Sequence, residues 1–423
     1  MVQESRKTLA VIGGGAAGFF CACNAARMNP SLRVIIFEKS TKLLSKVKVS
    51  GGGRCNVTHA FTGIPAFLQN YPRGKNFLKK SFYAFSPADT IDWFSKRGVE
   101  LKREKDGRIF PISNNSQTII DCLLDEAEKY GVEIFLQKQV KKITCNDEIK
   151  ITPEEIKKFT LQFENGSYLE ADFLCVACGG FPKEEQFAWL EGTKHRIVHP
   201  VPSLFTFNIP GHSILKLMGI SLDNVQVKIP ELKQQCTGPF LITHWGFSGP
   251  AVLKLSSFAA RELATLNYTF TIHINWLAEY NEPELRDAFP GIRLKNARQK
   301  IAGKNPFNLP SRLWLYFLEC SDIFQHLRWS ELTSKQTNKL VQTLTASVFQ
   351  VKGKTTFKEE FVTSGGISLQ EINAHTMESK IFPCLYFSGE IMDVDGITGG
   401  FNFQHAWTSG WCAAKSIASE STI

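Results

Sequence analysis

The sequence predicts an α/β fold: a parallel-stranded domain assembled from both ends of the chain, interrupted by a smaller β-rich segment and then a helical one. Three observations carry this. An apolar strand, a glycine-rich turn, a small-residue helix and a second apolar strand follow one another over residues 7–38. A short apolar strand and a long helix recur near the C-terminal end, at 384–418. Between them, strand-like runs punctuated by Pro and Gly give way to segments with helical periodicity. The 423 residues also exceed the roughly 250–300 at which single cores stop growing, so more than one core is expected.

The first element is "KTLAVIGGGAAGFFCACNAARMNP" (7–30), in which the strand Leu9–Ile12 runs into Gly13-x-Gly15-x-x-Gly18 and a helix of small residues. After Pro30 comes "RVIIFEKS", with Glu38 at the strand end, 20 residues beyond Gly18. This is a complete βαβ dinucleotide fingerprint and makes the domain Rossmann-like. Gly13 allows the tight turn, Gly15 lets the backbone approach a pyrophosphate, and Gly18 lets the helix pack on the sheet. Unpaired amides at the helix start attract the phosphates. Glu38 would accept from a ribose hydroxyl. An acid there argues against a 2′-phosphate and leaves NAD or the ADP half of FAD.

The second element is "VKVSGGGRCNVTHA" (47–60). It follows Glu38 on the carboxyl side of the sheet, where ligands of open α/β sheets sit. Gly51, Gly52 and Gly53 let bare backbone pass against a flat ligand, with positive φ angles available. Arg54 would place a fixed fork of donors near a phosphate or a reduced ring. The alternative is a flexible surface loop.

This stretch resembles the SGGGRCN loop of the BaiN/aminoacetone-oxidase-type family of NAD(P)/FAD-dependent oxidoreductases. The likeness continues, in the family's order, through "DGRIFPISNNSQTIIDCLLDEAEKYGVEI" (106–134), "LITHWGFSGPAVLKLSS" (241–257) and the block from 361 to 410 that contains "CLYFSGEIMDVDGITGGFNFQHAWTSG". The resemblance implies FAD as the bound cofactor, on a glutathione-reductase-like FAD-binding fold with an inserted β-subdomain and a helical cap. It implies that Gly13, Gly15, Ala16, Ala17 and Gly18 hold the pyrophosphate, and Glu38 with Lys39 the adenosine ribose side. Lys46, Ser50, Gly51, Gly52, Gly53, Arg54 and Asn56 would lie along the isoalloxazine, and Val140 would offer backbone contacts to adenine.

In the C-terminal part, the strand Cys384–Ser388 enters a turn at Gly389-Glu390, and a helix starts at Gly399-Gly400. In family terms Gly389, Glu390 and Asp395 bracket the ribityl chain. Gly400, Phe401 and Asn402 would bring a helix N-terminus to the N1/C2=O edge of the ring, where reduction places negative charge. A core strand and helix with no ligand is the alternative. The expected layout is therefore a first part of the FAD domain over 1–195, a β-subdomain over 196–275, a helical cap over 276–349 and the second part over 350–423. In the cap, "NEPELRDAFPG", "LPSRLWLYFLECSD" and "TSKQTNKLVQTLTASVF" have apolar residues near 3.6 spacing, with Thr333 or Ser334 as a helix cap. The resemblance implies a lid that shapes a substrate pocket.

Candidate chemistry beyond the cofactor is thin. His244 in "THWGFSGP" is the candidate proton donor, against the reading of a histidine hydrogen-bonded at a domain junction. For His405, His59 and Cys55 the structural readings are favoured. Cys175-x-x-Cys178 is not read as a redox or metal motif. The pair lies on an apolar strand whose side chains three apart face opposite ways, and no second pair supports zinc. The resemblance makes this the strand-plus-glycine element, with Gly179, that approaches the flavin. The chain departs from the family at "FPKEEQFAWLEGTKH" (181–195), which bears on the substrate class.

The net charge of +9 raises nucleic acid as a partner. However, the lysines of 138–158 are interleaved with Asp147, Glu148, Glu154 and Glu155, and "LKREKDGR" (101–108) is mixed in sign, which argues against a polyanion site there. Eleven scattered cysteines with no apolar leader suggest reduced thiols and a cytoplasmic location, and no apolar run spans a membrane. The expected activity is an NAD(P)H-dependent reduction of a conjugated C=C or related small acceptor through bound FAD, with NADH or NADPH docking transiently because only one dinucleotide fingerprint is present. The rivals are an amine or aminoketone oxidase releasing peroxide, an RNA-associated flavoprotein, and a non-enzymatic flavin-binding protein.

Overall fold

The computed structural model describes residues 6–146, 158–355 and 362–421, so Asp147, Glu148, Glu154 and Glu155 lie outside the described residues. The chain divides into two compact units, Met1–Ser203 with Lys358–Ile423, and Leu204–Phe357.

The first unit is built on a five-stranded sheet. Its elements are β1 (Thr8–Ile12), α1 (Ala16–Met28), β2 (Arg33–Phe37), α2 (Ser45–Gly53), β3 (Glu133–Phe135), β4 (Phe173–Val176), β5 (Leu385–Phe387) and α3 (Phe401–Glu420). The strand order is β5-β4-β1-β2-β3, and every neighbouring pair is parallel. β1 and β4 are buried at every position, which is why they read as unbroken apolar runs rather than alternating ones.

The C-terminal strand enters this sheet beside β4, with Leu174, Cys175 and Val176 opposite Leu385, Tyr386 and Phe387. α3 then packs against α1 at a distance only glycine permits: a Cβ on Gly410 would lie 2.8 Å from the Ala17 carbonyl oxygen. Trp407 fixes the same contact. It is fully buried, its ring is 5.2 Å from that of Phe20, and its indole N–H donates to the Val57 carbonyl at 2.9 Å. The two ends of the sequence thus share one core.

The second unit is a seven-stranded antiparallel sheet with helices. In sheet order its strands are Ser347–Lys352, Thr269–Asn275, Ser221–Ile229, Gln234–Ile242, Gly246–Ser248, Thr206–Asn208 and Lys354–Thr355. The helices Glu282–Asn296, Ser311–Cys320 and Ser334–Thr345 fall on the segments with 3.6 spacing. Thr333 caps the last of them, accepting from the Gln336 amide at 3.2 Å within a capping box. After these helices the chain returns to the same sheet through Ser347–Lys352. Strand Ile197–Pro202 pairs instead with Thr363–Ile367 inside the first unit.

Candidate functional site

The carboxyl ends of β1, β2, β4 and β5 converge on the glycine turn. Gly13 has φ +116°, and a Cβ there would lie 2.5 Å from the Ala177 oxygen just beyond β4, so no other residue fits. A Cβ on Gly18 would lie 2.0 Å from the Gly13 oxygen. Gly15 differs: its φ is −97°, and an added Cβ would meet nothing within 4 Å. The protein's own packing does not need glycine at 15, which leaves room for something to approach. α1 begins there with no side-chain cap and no acid in its first turn, so its leading amides are available to an anion. Ala16 and Ala17 occupy that first turn.

Glu38 spans the neighbouring strand ends, its carboxylate accepting from the Gly14 amide at 2.9 Å and the Ser40 amide at 2.8 Å. The Lys138 amide donates to the Glu38 carbonyl, which brings the start of strand Val140–Cys145 to this edge. The Lys39 ammonium lies 5.5 Å from the Phe181 ring centre.

In the second glycine segment, α2 loses helical geometry at Ser50 (ψ 148°), and Gly51, Gly52 and Gly53 follow at φ +59°, +69° and +83°. Three consecutive left-handed residues leave the backbone bare here, and the Cys55 amide closes the turn on the Ser50 carbonyl at 3.0 Å. A Cβ on Gly51 would press on Phe110 at 2.8 Å, whereas at Gly52 and Gly53 nothing lies within 4 Å. Arg54 stacks over Phe110 at 4.0 Å and donates to Glu104 at 2.7 Å, so its fork is engaged by the 101–111 hairpin.

Asn56 joins this segment to α3. In the amide orientation that satisfies both ends, it donates to the Thr58 carbonyl at 2.9 Å and accepts from the Gly400 amide at 3.0 Å. Gly400 sits at φ +93° against Thr58, which leaves no space for a side chain. Asn402 is bonded in both directions to Gly396, at 2.8 Å each way. Phe401 stacks on His59 at 4.8 Å, and the Tyr71 hydroxyl donates to its carbonyl at 2.7 Å. The first turn of α3 therefore has a fixed backbone, no side-chain cap and no acid.

Gly389 and Glu390 complete the ring of elements. A Cβ on Gly389 would lie 2.8 Å from the Ala17 Cβ. Glu390 pairs with Lys46 at 2.5 Å and accepts from the Thr363 amide at 3.0 Å. Gly179, at φ +82°, opens onto nothing within 4 Å. Thr363 Oγ1, Ser364 Oγ and His405 Nδ1 are buried with no hydrogen-bond partner. Asp395 is held differently, fully buried in an ion pair with Arg73 and a hydrogen bond from Ser203. Burial pushes its carboxyl above the usual range, against the pull of the Arg73 guanidinium.

His405 Nε2 donates to the Gly389 carbonyl at 3.1 Å, leaving Nδ1 as an unused acceptor. Burial pushes the imidazole down to about 4. A base with a depressed folded value binds fewer protons when folded. Its share of stability is present above the unfolded value of 6.5 and lost as the pH falls toward 4. His405→Gln is expected to remove about 3 kcal/mol of that acid sensitivity, seen as a flatter dependence of unfolding free energy on pH between 6.5 and 4. An unchanged slope would contradict the assignment.

Of the sequence candidates, those on the two glycine segments, at 179, at 389–390 and at the start of α3 are brought together in the first unit. His244 lies in the second unit, exposed in the turn between Gln234–Ile242 and Gly246–Ser248, its ring 3.6 Å from that of Trp245. Cys175 and Cys178 are free thiols, like the other nine cysteines. Arg73 has no precedent in the sequence reading, and Thr363 and Ser364 fall in the 361–410 block without being singled out there. The "TSGGI" strand announces itself only by its small residues.

The residues fit a flavin dinucleotide. Gly15 leaves a cradle that a Cβ would fill, two helix starts are uncapped, and orphaned polar atoms are buried beside Gly180 and Gly389. Among the described residues no helix is long and apolar enough to cross a membrane.

Comparison with known proteins agrees with this fold. A family model described as "HI0933-like protein Rossmann domain" matches residues 7–416. The ribosomal RNA dihydrouridine synthase of Escherichia coli (strain K12) is 31% identical, with 97% of this chain and 98% of that protein aligned. The 3-dehydro-bile acid delta(4,6)-reductase of Clostridium scindens is 27% identical, with 97% and 98% aligned. In structure, the 3-ketosteroid delta1-dehydrogenase of Sterolibacterium denitrificans aligns with a TM-score of 0.52 at 11% identity, over 98% of this chain and 100% of that one, a likeness of fold.

Proposed function

The chain belongs to the HI0933-like Rossmann family of FAD-dependent oxidoreductases, and from that premise we propose that it reduces a C=C bond conjugated to a carbonyl, with a uracil of RNA as the acceptor and NADH or NADPH as the donor. The observation that carries this is the full-length likeness to a ribosomal RNA dihydrouridine synthase. Dihydrouridine is uridine saturated at C5=C6, a double bond conjugated to the C4 carbonyl, which is the acceptor class expected from the sequence. The proposal departs from the sequence reading in which a nucleic-acid partner is disfavoured, and joins the RNA-associated rival to the reductase.

Gly13, Gly15, Gly18 and the open amides of α1 would hold the pyrophosphate, Glu38 the ribose, and Val140 the adenine side. Ser50–Gly53, Asn56, Gly179, Gly389, Glu390 and Gly400–Asn402 would hold the ring end, with Arg54 held away by Glu104 and Phe110. Bound FAD supplies the two-electron transfer. The chain's own contribution is positioning and electrostatics. Left-handed glycine amides and the uncapped start of α3 would put partial positive charge beside the ring end of a bound flavin, and the absence of side chains at 51–53 would admit a flat ring. Saturating the bond also requires a proton on the acceptor carbon, and the candidate proposed from the sequence for its delivery is the imidazole of His244. His244→Gln is expected to slow turnover about 100-fold while leaving FAD content and reduction by the donor unchanged. Full activity in that variant would remove the assignment.

Anaerobic mixing of the FAD-loaded protein with NADH, NADPH and aminoacetone, followed by uridine-containing ribosomal RNA, tests the whole reading. The expected result is bleaching by a nicotinamide donor, then recovery of colour by RNA whose uridines have gained two hydrogens by mass. Bleaching by aminoacetone alone would favour the oxidase. A second reading, a steroid-type dienone acceptor, is favoured by the Clostridium scindens relative. Recovery of colour by such a dienone and not by RNA would select it.

A further inference from the structure

The positive charge of the chain is not evenly spread. Seventeen of the 49 Lys and Arg but only ten of the 40 Asp and Glu fall within residues 204–357, so the second unit carries +7 of the total +9. Within it, residues 288–318 contain six cations and no acid: Arg293, Lys295, Arg298, Lys300, Lys304 and Arg312. Arg293 donates to the Ser330 carbonyl and Arg312 to the Lys216 carbonyl. Lys295, Arg298, Lys300 and Lys304 are exposed and form no ion pair among the described residues.

These four are not on a loose loop. The Ile301 amide donates to the Leu327 carbonyl at 2.9 Å, and the Trp329 amide donates to the Gln299 carbonyl at 3.1 Å. The fully buried Trp314 and Trp329 donate to the carbonyls of Ile301 and Lys304. An antiparallel bridge sets Lys300 beside Arg328, itself exposed. Arg328 follows a turn holding Phe324, 69% exposed, with its ring stacked on exposed His326 at 5.7 Å and an interplanar angle of 17°. A phenylalanine that open to water gains nothing from burial. Four residues before Arg328, whose backbone is bridged to Lys300, it offers an exposed ring pair for stacking.

We infer that the strip Lys295–Lys304, with Arg328 and the Phe324–His326 stack, docks single-stranded RNA, the cations tracking the phosphates and the rings taking an unpaired base. The chemistry selects this occupant. Phosphates neutralise cations that have no acid of their own, and a base, unlike an acidic peptide or a lipid surface, can use a flat exposed ring pair. The inference rests on the RNA reading of the acceptor and adds where the RNA is held.

The test uses the FAD-loaded full-length protein, a fluorescent uridine-containing single-stranded RNA, and anisotropy titrations at several salt concentrations. Two variants are compared with the parent after thermal melting confirms their fold: Lys295→Ala/Arg298→Ala/Lys300→Ala/Lys304→Ala, and Phe324→Ala. The quadruple variant is expected to bind about 100-fold more weakly near physiological salt, with a salt slope shallower by about 3. Phe324→Ala is expected to bind about tenfold more weakly with the slope unchanged. Reduction of free uridine should be the same in all three proteins. Unaltered affinity and slope in the quadruple variant would overturn the inference, as would equal binding of polyglutamate or anionic vesicles with no effect of Phe324→Ala. The two proposals fail separately. A parent that binds RNA through these residues but leaves uridine unreduced refutes the function, whereas a quadruple variant that modifies ribosomal RNA as well as the parent refutes the docking strip alone.

Discussion

Replacing Gly15 by Val leaves the fold intact and strips the protein of its cofactor. The backbone at 15 is extended (φ −97°), which any residue adopts, and an added Cβ meets nothing within 4 Å, so unfolding free energy should stay within about 1 kcal/mol of the parent. The new side chain instead fills the space through which a pyrophosphate would reach the amides of α1. Losing two charge-assisted hydrogen bonds there costs about 3 kcal/mol, or roughly 100-fold in FAD affinity. Gly13→Val is the contrasting control: with φ +116° and a Cβ 2.5 Å from the Ala177 oxygen, it should fail to fold. Fluorescence titration with FAD and urea unfolding separate the two. Stoichiometric FAD in Gly15→Val would mean that the turn serves only the fold.

Arg73→Met is expected to destabilise the first unit strongly while leaving the backbone unchanged. The Asp395 carboxylate is fully buried and the arginine nearly so, and removing one partner of such a pair costs about 3–5 kcal/mol. The loss should grow with pH. A carboxyl whose folded value lies above its unfolded one binds its proton more tightly when folded, so its stabilising share is intact below the unfolded value of 3.8 and lost as the pH rises through the folded value. Without the guanidinium the folded value rises further, so more of the loss falls at higher pH. Urea unfolding at pH 5 and pH 8 should therefore show a larger deficit at pH 8, and Arg73→Met/Asp395→Leu should recover most of it. A deficit equal at both values would contradict a charged, buried Asp395.

Much of the first unit is legible because its signals are local. The turn at Gly13–Gly18, the left-handed run at Gly51–Gly53 and the helix start at Gly400 each follow from a few adjacent residues, with Gly13, Gly51, Gly52, Gly53 and Gly400 at positive φ, which favours glycine. What is not legible depends on partners far away in the chain. Nothing near position 73 announces Asp395, and Arg54 reads as a ligand-facing cation until Glu104 and Phe110 are placed beside it. The Asn56–Gly400 bond explains why the SGGGRCN segment and the C-terminal helix act together, yet neither segment names the other. Strand Ser347–Lys352 follows a periodic helix directly, and its place in the sheet is decided by pairing with Thr269–Asn275. The acid-free run at 288–318 is visible in the sequence; its rigid setting and its neighbouring ring stack are not.

The visible absorption spectrum of the freshly purified protein measures most directly whether residues 7–56 and 384–420 build one flavin site. A flavin spectrum with about one FAD per chain, released intact on denaturation, is the expected result. Colourless, correctly folded protein that takes up no FAD on reconstitution would contradict it.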